Sequence, residues 1–174
     1  LQLVAANKQH KVALLASYDE GDSGEAGDNL QLTGTQYQRS RTDLSYGLQS
    51  GVTNADFHIG QMDISNSGTP ALAMDITSVE TDLTGFNLST EINDIKIFAD
   101  LAWADVVHSM DNHSLRQPPM MTMGYRTNLA TAENLSWTFK AVLPIDQASL
   151  TLGTDGNLAD HNSVINNPEN GMFE

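Results

Sequence analysis

Apolar and polar residues alternate with a period of two along most of the chain, in "KVALLASY", "DLSYGL", "ADFHIG", "DLTGFNLST", "IKIFADLAW", "NLSWTFKAV" and "ASLTLG". That period places successive side chains on opposite faces of an extended strand. The stretches between are rich in Gly, Asn and Asp, the residues of turns. The chain therefore reads as all-β, with strands expected near 1–6, 9–19, 37–50, 55–63, 81–91, 95–109, 125–142 and 148–156.

The links between these strands alternate in length. Short turns fall at Asn7-Lys8, at Gly51-Val52-Thr53-Asn54, at Ile92-Asn93-Asp94 and around Pro144-Ile145-Asp146. Long links fall at about 20–36, 64–80 and 110–124, with another opening after about 157. In an antiparallel up-and-down meander, that alternation collects every short turn at one end and every long loop at the other. Outer-membrane barrels are built this way, with short periplasmic turns and long extracellular loops.

The two faces of the strands fit such a wall. In 95–109, Ile95, Ile97, Ala99, Leu101, Trp103, Asp105 and Val107 share one parity, against Lys96, Asp100 and His108. In 125–142, Leu129, Leu135, Trp137, Phe139 and Ala141 oppose Asn128, Asn134, Ser136, Thr138 and Lys140, with Glu133 interrupting the apolar side. In a barrel the first set meets lipid and the second faces the lumen. No apolar run reaches the roughly 20 residues of a membrane-spanning helix, whereas a barrel strand needs only about 9–11. The chain opens directly in alternation at Leu1 and ends in an Asn-rich stretch at Glu174, so a segment of something longer is expected.

Charge narrows the partners. A net charge of -14 argues against nucleic acid and anionic headgroups and favours cations. There is no cysteine, which removes disulfides and thiolate ligands and leaves His, Met and carboxylates to hold any metal. No Ser/His/Asp constellation or Gly-rich phosphate loop stands out, and "GTDGNLAD" lacks the ligand spacing of a calcium loop, so no enzyme is expected.

Against that background, "HSMDNHSLRQPPMMTM" at 108–123 concentrates thioethers and imidazoles. His108 and Met110, two apart on a strand, share the polar face at the end that runs into a long loop, which is the outer mouth of a barrel. Soft thioether sulfur selects Cu(I), and imidazole suits either copper state. The pair points to copper, with further ligands sought among Met120, Met121 and Met123 in the same loop, His58 and Met62 at the mouth end of strand 55–63, Met74 in the loop after that strand, and His113. The plainer reading is that Met fills gaps between loops and a single His is structural.

"ADLAWADVVHSMDNHSLRQPP", with "GTPALAMDI" at 68–76 and "GTDGNLADHNSV" at 153–164, resembles the barrel of TonB-dependent copper receptors of Gram-negative outer membranes. The resemblance implies about eight strands of a transmembrane β-barrel of about 22, an N-terminal plug domain, and import driven by the TonB–ExbB–ExbD system acting on that plug. It further implies a copper site made from an HxM pair on the wall, here His108 and Met110, and Cys and Met from the plug. Three alternatives remain open on the residues alone: a receptor for an iron, zinc or siderophore chelate, a passive porin, and a soluble β-sandwich binding module. Cut from a closed barrel, the segment is expected not to fold alone.

Overall fold

The computed structural model describes residues 1–22, 36–68, 74–115, 124–167 and 172–173. Its strands are β1 (Gln2–Ala6), β2 (His10–Asp22), β3 (Gln36–Ser50), β4 (Thr53–Ser67), β5 (Asp75–Ile92), β6 (Ile95–Asp111), β7 (Thr127–Ile145), β8 (Ala148–Asn167) and the two-residue β9 (Met172–Phe173). They form one sheet in the order β1-β2-β3-β4-β5-β6-β7-β8-β9, each antiparallel to its sequence neighbours. The all-β meander holds, and among the described residues the sheet does not close on itself.

Strands are longer than the alternation alone implies. β5 starts six residues before the expected Thr81, and β8 runs on to Asn167 through "NLADHNSVINN", which reads as loop because its polar residues occupy both faces. Hydrogen bonding to β7, register by register from Ile145↔Ala148 to Thr127↔Asn166, carries the strand where hydrophobicity gives no cue. The turns follow local chemistry. Asn93 and Asp94 both take positive φ, at 51° and 67°, the conformation of a two-residue turn whose twist matches its strands. Gly51 supplies the same freedom at φ 60° between β3 and β4. A register shift between Ile76 and Ser78 bulges β5 near its loop end.

Register sorts the side chains onto two faces. One carries Leu44 and Tyr46 on β3, Phe57 and Ile59 on β4, Phe86 and Leu88 on β5, Leu101 and Trp103 on β6, Leu135, Trp137 and Phe139 on β7, and Leu152 and Leu158 on β8. Most of these side chains are exposed, Phe139 to 44%, Leu152 to 55% and Leu158 to 63%, with Phe86, Leu88, Trp103 and Trp137 half-buried, while Ala99 and Leu115 are the buried apolar residues among those described. A single layer with an uncovered apolar belt has no internal core, and the transfer free energy of the belt is realised only when something apolar covers it.

A row of carboxylates crosses this face. Asp82, Asp105, Glu133 and Asp160 stand opposite one another on β5, β6, β7 and β8, one row above Trp103 and Leu135. Glu133, which interrupts the apolar alternation, accepts a 2.9 Å hydrogen bond from the Trp103 indole nitrogen. Carboxylates cannot sit in hydrocarbon without large cost, so this row marks where an apolar surrounding must end. The strands continue well above it, to the long-link end.

Candidate metal centre

The opposite face carries Lys11, Asp43, Asp56, Asn87, Asp100, Asn134 and Thr138, and His108 and Met110 belong to it. His108 stands between Val79 of β5 and Ala130 of β7, and Met110 between Ile76 and Asn128. Two residues along a strand separate their Cα atoms by about 7 Å on one face, within reach of a shared ion for an imidazole and a long thioether. Both are half-buried. The Nε2 of His108 is shielded from solvent and has no hydrogen-bond partner, so a ring nitrogen sits desolvated without compensation. The neighbours Val79 and Ala130 offer nothing to bond. A metal ion is one partner that would satisfy that nitrogen.

The other expected ligands divide. Met62 shares a row with Thr81 of β5 and Val106 of β6, which puts it two strands away and one row below His108. Met74 directly precedes β5, whose Asp75 stands opposite Asp111, so it lies at the same end as Met110. His58 does not lie at the mouth. It is opposite Gly85, which is opposite Ala102, and Ala102 is six residues below His108, about 20 Å at the strand rise. Counting from the short β3–β4 turn rather than from the strand's far end would have shown this. Met120, Met121 and Met123 fall outside the described residues. His113 is engaged elsewhere, its ring 5.0 Å from the Tyr125 ring and its Nε2 3.8 Å from an Asp111 carboxylate oxygen. His161 was missed because its segment reads as loop. It lies on β8 in the row Met62, Thr81, Val106, Ala132, His161, on the face of His108. Among the described residues no three His, Cys, Asp or Glu gather closely enough to hold a metal, so His108 and Met110 form a partial donor set.

The base of the link that follows Met110 is tightly made. The Asn112 side chain donates to the Gly124 carbonyl at 3.0 Å and accepts from the Arg126 amide at 2.8 Å, and its backbone amide donates to the Arg126 carbonyl at 3.3 Å. One buried amide therefore ties together the two ends of residues 112–126. Asn112→Ala leaves the buried Gly124 carbonyl without its donor and the Arg126 amide without its acceptor, and should cost about 1–3 kcal/mol, read as a lower urea midpoint.

Asp111 makes the adjoining turn. Its carboxylate accepts from the His113 amide at 3.0 Å, from the Ser114 amide at 2.8 Å and from the Ser114 hydroxyl. Burial pushes this carboxyl up, but the Ser114 hydroxyl, the two amides and His113 together outweigh it and hold it below its ordinary 3.8. Ionised Asp111 thus stabilises the turn at every pH above 3.8, and that contribution is lost as pH falls through the depressed value. Asp111→Asn should make stability less dependent on pH in that acidic window, in paired unfolding curves.

The class of structure is now defined: an antiparallel up-and-down β-meander, apolar on one face and polar on the other, of the kind that forms a segment of a barrel wall. No family model matches the sequence, and no curated protein matches it. Among solved structures the fold matches the copper transporter OprC at a TM-score of 0.75 and 18% sequence identity, over 93% of this chain and 26% of that one. The chain thus spans about a quarter of the length of that transporter, with which it shares its fold.

Proposed function

We propose that this chain is part of the wall of an outer-membrane TonB-dependent receptor that captures copper at its outer mouth and takes it across the membrane. The observation that carries this reading is the His108 and Met110 pair, a soft donor set on the polar face at the long-loop end, with the His108 Nε2 desolvated and unpartnered. Fold likeness to a protein that transports copper supports it, as do the uncovered apolar belt and the acidic charge. On this reading lipid covers the belt, residues 1–174 are a partial barrel domain, and the remaining copper ligands come from a plug domain outside the chain. Transport is an energised step through the TonB–ExbB–ExbD system, and copper is cargo rather than cofactor.

Cells producing the intact protein should accumulate copper at limiting external concentrations, and deletion of TonB should abolish the gain. Accumulation that ignores TonB would reduce the reading to a passive pore. Accumulation of an iron or zinc chelate in place of copper would reassign the cargo.

A further inference from the structure

His58, displaced from the mouth, belongs to a different constellation. Gly85 faces it across the β4–β5 pair, and a Cβ at Gly85 would overlap the His58 imidazole. Only a glycine lets the ring lie flat across β5 and reach toward β6. There it borders a cleft of about 120 Å³ shared with Asn87, Asp100, Ala102, Ser136 and Thr138.

The register shows how the cleft is made. Gly85 lies buried under the His58 ring and the small Ala102 beside it lines the cleft, with His58 at one end of their row and Ser136 at the other. Asn87, Asp100 and Thr138 stand directly opposite one another in the next row toward the short turns and close that side. Neither His58 nor Asp100 takes part in the salt bridges found among the described residues. The polar groups on offer are one imidazole, one carboxylate, one amide oxygen and two hydroxyls. That set has no sulfur. It suits a divalent ion of borderline hardness, such as Cu(II) or Zn(II), and not a soft monovalent one.

We infer that the His58, Asn87 and Asp100 cleft is a second cation station on the polar wall, taking a divalent transition-metal ion through one ring nitrogen and oxygen donors. This inference rests on the reading of that face as the lumen. It places an oxygen-rich site about 20 Å below the sulfur-containing pair at the mouth, using the strand rise. Passage along a wall requires several sites that each bind well enough to receive an ion and weakly enough to release it. A site with a single imidazole and a single carboxylate has that character. The chemistry of the donors would also change along the path, from thioether at the mouth to carboxylate within.

The test uses the intact protein of which this chain is a part, in detergent, carrying His108→Ala and Met110→Ala so that the mouth pair is silent, titrated with Cu(II) alone and read by electron paramagnetic resonance. The expected spectrum shows coupling to one nitrogen. It disappears in His58→Ala. Gly85→Ala, which keeps the histidine but pushes its ring off β5, should weaken binding about tenfold, the lower end of what loss of a supporting group costs a metal site, and Asp100→Asn, which removes the one charged donor, should weaken it further. A Cu(II) spectrum indifferent to His58, or unchanged by Gly85→Ala, overturns the inference. Cu(I) binding measured with His108 and Met110 intact reports on the mouth separately, so either site can fail without the other.

Discussion

Replacing His108 and Met110 together by alanine should lower Cu(I) affinity by more than about a hundredfold in the intact protein. Loss of mere supporting groups around a metal costs about 10–100-fold, and this change removes two donors outright. Cu(II) affinity should fall less, because thioether sulfur contributes most to the softer ion. Folding should barely change: the His108 Nε2 makes no hydrogen bond that alanine would lose, and both side chains are half-buried. Removing a desolvated, unpartnered nitrogen even relieves a small cost. Competition titrations against a Cu(I) chelator, with urea unfolding as the control for integrity, decide the matter. An unchanged Cu(I) affinity would return both residues to a packing role and leave an importer of unknown cargo.

Leu101→Arg should destabilise the protein in lipid by about 2–4 kcal/mol, the cost of an arginine near the middle of a bilayer on the outward face of a barrel. Leu101 is 39% exposed, lies between Phe86 and Trp137, and is two rows below the carboxylates that end the belt. Its neighbour Ala102 points to the other face, so Ala102→Arg should cost far less in the same assay. Equilibrium unfolding from vesicles provides the comparison. Equal penalties on the two faces would mean that the Leu101 face does not meet hydrocarbon, and would overturn the barrel-wall reading.

Most of the architecture was legible in the alternation, because strand period and turn chemistry are local properties. Asn93-Asp94 and Gly51 announce their turns through residue type and take positive φ in the structure, and Ile95 through Trp103 announce an outward face. The part of β8 beyond Gly156 was not legible, since Asp160, Asn162 and His161 give it no apolar face and only pairing with β7 makes it a strand. The same reason hid His161. The His108 and Met110 pair was readable because two-residue spacing fixes a common face. The placement of His58 was not, because position along a wall depends on register across several strands, and the role of Gly85 is visible only once β4 and β5 are aligned.

The order of strands in the sheet is the order of strands in the chain. Among the described residues every strand pairing in the wall is therefore made between consecutive strands, and none of these strands has to wait for a distant one before it can pair. Such a sheet can grow by accretion, each finished hairpin offering its free backbone edge as the template for the next. The long edges of β2 through β8 become structured in turn, and the growing front is always a strand with unpaired amides and carbonyls. The property that makes assembly progressive also makes an arrested front adhesive, since any extended chain that arrives in place of the next hairpin meets the same row of donors and acceptors.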